Sequence, residues 1–418
     1  MVPPNDLSEK VYHGRGEKTS APPEILDTKH GAEYNFGRRS EVTNVADVYE
    51  YLRWRGDVPF FADPFGEVDA MILSMLAYTE LDGIVKNDGV EKPLRDVRDE
   101  YFEVITPDEI RADRDFHPKS PLMLDGMLSG ERFGNITLSY YDDETDGERD
   151  MQFCAVTYRL SDGSAFVAFR GTDSTLTGWR EDFDLSFTGR TEGQKKAALY
   201  LDRAGRELGV PLRVGGHSKG GNLAVFASAF CSPDVRRQIM TVFSFDGPGF
   251  PRETVETEEY RAVVGKTVSL VPDTSLIGQL LSSEARREVV VSTAKGIGQH
   301  DAMTWSIDRN RFERTTLSAA GEMIGRAVGE WIEKIDYNTR KSLTDTLFTL
   351  FGSTGADTFT EIGKKKRKSA EAILAAAKKL PRDKQRELLR LVALLGQSSG
   401  AVATDYINRR IDKKKETD

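Results

Sequence analysis

Leu212-Arg-Val-Gly-Gly-His-Ser-Lys-Gly-Gly-Asn-Leu-Ala224 decides how the rest of the chain is read. A short apolar run meets Gly216-His217-Ser218-Lys219-Gly220, of the form Gly-x-Ser-x-Gly, and a helix-like run from Asn222 to Cys231 follows at once. Strand, sharp turn and helix in that order is the setting of a nucleophile elbow. A serine held there in a strained backbone conformation needs neighbours two positions away with no side chain, which Gly216 and Gly220 supply. Ser218 then stands clear of the sheet, with the helix N-terminus and the Lys219 amide placed to receive negative charge on a reacting oxygen. A glycine-rich turn whose serine merely caps a helix is the plainer alternative. What lies on either side decides between them.

Upstream, Asn135–Tyr141 and Phe153–Tyr158 read as strands joined across an acidic turn, Asp142 to Asp150. Ser161-Asp-Gly163 carries the chain into Ala165–Phe169, so the second and third runs form a hairpin. The rhythm then changes to a helix over Glu192–Leu208, the strand at Leu212, the helix at Asn222, and strands over Thr241–Phe245, Thr267–Val271 and Glu288–Ser292. Helices alternating with continuous apolar strands predict an α/β fold, a mostly parallel central sheet covered by helices on both faces.

Three helices are expected before the first strand, over Val45–Trp54, from Asp63-Pro64 with Asp63 as cap, and over Pro121–Leu128. Past about Arg309 the strand signal stops, giving helices over Glu322–Ile335 and Ser369–Leu395 on either side of a linker, Phe351–Ala356, with Leu388, Leu391, Val392 and Leu395 on one face. The expected organisation is a mobile N-terminal tail over 1–40, an α/β domain with its N-terminal helices over 41–310, and a helical C-terminal extension with basic segments over 311–418.

The chain of 418 residues has a formal net charge of −9, which disfavours nucleic acid as a partner. Its basic runs, Lys364–Lys368 and Lys413–Lys415, are instead solvated faces or a place for peripheral contact with an acidic membrane. Cys154 and Cys231 both fall in apolar segments, so a disulfide framework is not expected. With no export leader and no apolar run long enough to span a bilayer, the expected location is cytoplasmic.

A serine nucleophile needs a base, and the base needs an acid. Of the five histidines, His13 and His30 lie in the tail, His117 precedes the strands, and His217 sits inside the elbow pointing away from Ser218. Only His300, in Gly298-Gln-His-Asp301 after the last strand, lies downstream, where the order nucleophile, acid, base puts it. Two acids remain open: Asp246 in Phe245-Asp-Gly-Pro248, which also makes good turn chemistry, and Asp273 in Val271-Pro-Asp273. A second oxyanion donor is offered by Thr172, in the glycine turn that ends the strand at Phe169.

Together these residues resemble the class 3 (fungal-type) lipases of the α/β-hydrolase fold. Phe169-Arg-Gly-Thr172 is similar to that family's oxyanion loop, Trp179 and Asp182 to the Trp and Asp that follow it, and Gly216-His-Ser-x-Gly-Gly221 to its elbow. Ser244-Phe245 with Pro248 is similar to the strand and proline beyond. The resemblance spans about residues 135 to 310 and implies Ser218 as nucleophile, Asp273 as acid, His300 as base, Thr172 and Lys219 as oxyanion donors, and Asp182 in support of the loop. Lys219 departs from the leucine usual there, and a cation beside the oxyanion would favour an anionic or polar substrate. With Trp54-Arg-Gly-Asp57 and Asp63-Pro-Phe-Gly-Glu-Val-Asp69, the chain is most similar to a bacterial family of lipase-like proteins whose function is unassigned.

The implied activity is hydrolysis of a carboxylic ester, a lipid or other acyl ester, through an acyl-enzyme, with no metal or organic cofactor. Thr274–Ile297, with Leu276, Ile277, Leu280 and Leu281, is expected to form a wall of the acyl pocket, a lid, or a core-facing helix. The alternative is a hydrolase-derived scaffold or membrane-surface binding protein with slow or no turnover.

Overall fold

The computed structural model describes residues 46–112, 119–173, 175–185, 190–281, 283–322, 325, 337–356, 358–382 and 384–386. The N-terminal tail, His117 and the basic run at Lys413 lie outside them, as do most of the helix expected over Glu322–Ile335 and Leu388–Leu395.

The main sheet contains β1 (Lys92–Pro93), β2 (Thr137–Asp146), β3 (Met151–Arg159), β4 (Ala165–Phe169), β5 (Leu212–His217), β6 (Ile239–Phe245), β7 (Thr267–Pro272) and β8 (Arg287–Val290). Its spatial order is β1-β2-β3-β4-β5-β6-β7-β8-β9, and β9 is Arg314–Thr315. β4 to β8 run parallel, while β1, β2 and β3 at one edge and β9 at the other are antiparallel to their neighbours. The mostly parallel sheet is therefore its central five strands. β2 continues through Asp146, into residues whose acidic run had read as a turn. The strand signal does not stop at Arg309: β9 closes the far edge with two residues, too few for alternation to show.

Alternate residues of one strand enter different cores, which is why both faces must be covered. On β4, Phe166 and Ala168 pack with the N-terminal helices. Ala165, Val167 and Phe169 pack with the helices Glu192–Leu208 and Lys219–Phe230. The N-terminal layer is organised around the helix Glu67–Leu76, whose Val68, Met71, Ile72, Met75 and Leu76 are all fully buried. Each such side chain contributes about 1.5–3 kcal/mol of transfer free energy. That helix begins later than Asp63-Pro64 would place it. Asp63 is paired with Arg55, and the cap is Gly66, whose amide donates to the Asp69 carboxylate at 2.8 Å.

Asp69 does more than cap. Its other oxygen accepts from Tyr51 Oη at 2.8 Å, and Arg132 donates to both oxygens at 2.7 and 2.6 Å. The remaining guanidinium nitrogen donates to Val58 O and Asp63 O, at 2.8 and 3.1 Å, and the guanidinium lies 4.4 Å from the Phe60 ring centroid. Both residues of this pair are 1% exposed. Nearby, a Cβ on Gly130 would lie 2.2 Å from Gly56 O, so glycine alone allows the two segments to touch there.

In the C-terminal extension, the helix Tyr337–Gly352 packs Leu347 and Phe348 against Leu176, Trp179 and Phe183 of the helix Leu176–Asp184. Arg180 bridges the two at 2.9 Å from Asp345. The next described helices are Phe359–Lys364 and Lys366–Ala377. The expected linker, Phe351–Ala356, begins inside the helix Tyr337–Gly352. Among the described residues, no helix is long and apolar enough to cross a membrane.

Breaking a buried ion pair from one side leaves an uncompensated charge, so Asp69→Asn is expected to cost about 3–5 kcal/mol in urea-induced unfolding. A variant unfolding at the wild-type midpoint would mean that the pair does not hold the N-terminal layer.

Candidate active site

β4, β5 and β6 lie side by side in register, Phe169 beside Gly216 and His217 beside Phe245. The turns that follow them therefore emerge at one edge, where sites of open parallel sheets gather. β5 ends at His217, and the helix Lys219–Phe230 begins directly after Ser218. Between them Ser218 takes φ 57° and ψ −130°, a conformation a serine adopts only when its surroundings enforce it. The enforcement is visible. A Cβ on Gly216 would meet Gly220 C at 2.3 Å, and one on Gly220 would meet Phe169 O at 2.0 Å. Ser218 N donates to Phe245 O at 2.9 Å, which ties the turn to β6.

His300 ends a short 3-10 turn, Gly296–His300, and its Nε2 lies 3.0 Å from Ser218 Oγ. The turn is pinned from two sides. Gln299 Oε1 accepts from the amide and hydroxyl of Thr274, each at 3.0 Å, and Gln299 O accepts from Trp305 Nε1 at 2.8 Å. His300 Nδ1 lies 2.6 Å from Asp246 Oδ2. A carboxylate only accepts, so Nδ1 carries the proton and Nε2 is free to accept from the serine hydroxyl.

The carboxylate on His300 is thus that of Asp246, one residue past β6, and not that of Asp273, which the resemblance implied. Asp246 is 1% exposed, and its second oxygen accepts from Ser275 Oγ. Asp273, past the end of β7, accepts from Ser318 N at 2.6 Å. The two acids leave adjacent strands, about 4.8 Å apart. Only the course of the His300 turn selects between them. A Cβ on Gly278 would fall 2.3 Å from Asp246 Oδ1, so the segment after β7 closes over Asp246 through a glycine.

Lys219 also differs from expectation. Its side chain is 1% exposed, and all three ammonium protons are used: on Gln152 O at 2.7 Å, Gln152 Oε1 at 2.6 Å and Glu181 Oε2 at 2.9 Å. Glu181 also accepts from the amides of Gln152 and Gly193, each at 3.0 Å. The cation is neutralised inside the protein, so it gives no ground for an anionic substrate.

The glycine turn after β4 touches the elbow, since a Cβ on Gly171 would lie 2.5 Å from His217 O and 3.1 Å from Ser218 Cβ. Thr172 donates its hydroxyl to Asp182 Oδ2. Burial pushes the Asp182 carboxyl up to about 6, with the Lys219 cation and the Thr172 bond acting against the rise. Thr274–Ile297 contains no helix before β8 among its described residues. It is a turn-rich segment in which Leu276, Ile277, Leu280 and Leu281 are half-buried.

Nothing in the sequence marks Tyr78, Gln152, Glu181, Ser275 or Gln299 as part of the site. Each acts by contact across distant segments. Only His217 carried a signal, being inside the elbow with its side chain turned from Ser218. Its Nδ1 lies 3.0 Å from Tyr78 Oη, and its Nε2 2.6 Å from His300 O.

The Mbeg1-like family model matches residues 127–349, just over half of the chain. The chain belongs to the Mbeg1-like family. None of the curated proteins matches it. Among solved structures, M37 lipase is similar at 12% identity and TM-score 0.34, over 52% of this chain and 70% of that one. The Rhizomucor miehei lipase in its propeptide complex is similar at 11% identity and TM-score 0.35, over 61% of this chain and 74% of that one.

A carboxyl raised in the folded state is still protonated when its unfolded counterpart has ionised, so its stabilisation falls as pH rises through the folded value. Asp182→Asn, which cannot ionise, is expected to melt above the wild type at pH 7, with the gap closing between pH 6 and 4. A gap that is the same at both ends would show that Asp182 ionises freely.

Proposed function

We propose that this Mbeg1-like protein is a serine hydrolase that cleaves a carboxylic ester through an acyl-enzyme. The observation that carries the reading is the hydrogen-bonded chain from Asp246 through His300 to Ser218, at 2.6 and 3.0 Å, on an elbow at φ 57°. In this reading Ser218 Oγ attacks the acyl carbon as its proton passes to His300 Nε2, and Asp246 stabilises the imidazolium. The carbonyl oxygen, now negative, accepts from the amides of Lys219 and Thr172, and Asp182 holds the Thr172 hydroxyl. Collapse of the tetrahedral species breaks the C–O bond, and His300 returns the proton to the leaving alcohol. Water then loses a proton to His300, attacks the acyl-enzyme and releases the acid, restoring Ser218. Leu276, Ile277, Leu280 and Leu281 supply an apolar wall for the acyl chain.

The surface favours a lipid form of that substrate. Lys364, Lys365, Arg367, Lys368, Lys378 and Lys379 are exposed in a chain of net charge −9, and Leu374 among them is 58% exposed. Thr358, which opens this basic segment, bridges Thr175 beside the glycine turn. A basic helix with a projecting leucine suits an acidic membrane surface, which would bring the site to its substrate.

Two experiments test these readings. A fluorophosphonate probe is expected to add once to the wild type and not to Ser218→Ala. Ester turnover should fall about 10⁴-fold in Asp246→Asn and hold in Asp273→Asn. Labelled Ser218→Ala, or loss of turnover in Asp273→Asn alone, would refute the assignment. For the surface, the full chain should sediment with phosphatidylserine vesicles, and a variant with Lys364, Lys365, Arg367 and Lys368 changed to Gln should not. Equal sedimentation of both rules that face out.

A further inference from the structure

The side chain at His217 points into the protein, yet it touches the base. It is 5% exposed, and its ring centroid lies 4.6 Å from that of His300. The bonds fix its state. His300 O can only accept, so the nitrogen 2.6 Å away, Nε2, carries the proton. The opposite nitrogen, Nδ1, is then an acceptor, and the Tyr78 hydroxyl at 3.0 Å is its donor. Tyr78 follows the buried helix Glu67–Leu76, with its amide on Met75 O at 3.1 Å. It thus lies outside residues 127–349, which the family model covers. Its hydroxyl sits where a Cβ on Gly171 would come within 2.1 Å, so the glycine turn admits it only for want of a side chain.

We propose that Tyr78 and His217 are positioning residues for His300. Tyr78 fixes the tautomer of His217, and His217 Nε2–H then holds the His300 backbone so that its ring meets both Ser218 and Asp246. The inference rests on the hydrolase reading above and deepens it. The N-terminal helical layer thereby becomes part of the working site rather than a cover for one sheet face. It takes a neutral imidazole to do this. Burial, and the neighbouring His300, push His217 down to about 3, so it keeps its acceptor nitrogen at neutral pH. Arg170, Asp182 and Asp301 also act electrostatically on the Tyr78 hydroxyl.

The test compares the full-length wild type with Tyr78→Phe, His217→Ala and His217→Gln. The rate of fluorophosphonate labelling is expected to fall about 10- to 100-fold in His217→Ala, the scale on which a small misplacement of a reacting group costs rate. His217→Gln, which keeps an N–H able to reach His300 O, should recover most of that loss, and Tyr78→Phe should fall between. ¹⁵N spectra of histidine-labelled protein give a readout independent of reactivity: His217 should remain the neutral Nε2–H tautomer at pH 5. Wild-type labelling rates in His217→Ala, or equal losses in Ala and Gln that track a lowered melting temperature, would overturn the proposal. So would a His217 that protonates near pH 6.5. A wild type that takes no label refutes the hydrolase reading itself, and the spectra then show whether the pair still holds the neutral tautomer it requires.

Discussion

The backbone crossing at the elbow constrains everything around it. Gly220 passes so close to Phe169 O that a Cβ would stand 2.0 Å from it, and Gly216 is equally confined by Gly220. That approach holds Ser218 at positive φ, brings the turn after β4 against the elbow, and sets the helix Lys219–Phe230 directly below the serine. A residue in this conformation costs on the order of 1–3 kcal/mol, which the surrounding packing must offset. Much of that packing is the fully buried helix that follows, with Leu223, Ala224 and Ala227 wholly enclosed.

Beneath the elbow a second constraint operates. Lys219 places a cation in the interior, and an isolated buried cation is expensive. Its three protons are met by Gln152 and Glu181, and Glu181 is met in turn by two backbone amides. This network links the elbow to β3, to the helix carrying Asp182 and to the start of the helix Glu192–Leu208. A buried pair of this kind is weak evidence for stability, because desolvation opposes the attraction. What it does supply is registration: three elements share one charged centre, and the segment bearing Thr172 and Asp182 is fixed relative to Ser218.

The two layers outside the parallel block are joined to this centre by particular contacts. From the N-terminal side Tyr78 reaches His217. From the C-terminal side Phe348 and Asp345 bear on Phe183 and Arg180, in the same helix as Asp182. Both layers therefore bear on loops at the carboxyl ends of β4 and β5, so neither is a mere appendage to the sheet. The basic helices follow the second layer, which is why a membrane contact there would be coupled to the site's orientation rather than to a free tail.

The strand–turn–helix at Ser218, the β3–β4 hairpin at Gly163 and the helix Glu192–Leu208 were legible because each is local. Glycine spacing, a turn dipeptide and a helical period all lie within a few residues. His300 was legible for another reason: it is the one histidine downstream of Ser218. The choice of Asp246 over Asp273 was not, because both follow apolar strands, and Asp-Gly-Pro explained Asp246 as a turn. The fate of the Lys219 charge was equally hidden, since Gln152 and Glu181 lie far from it in sequence. Sequence alone determined the elbow, the alternating α/β pattern and the candidate nucleophile and base. Tertiary structure decided which carboxylate meets His300, where the cation goes and what holds the His300 turn. Those outcomes depend on which distant segments come within 3 Å, and no local propensity records that distance.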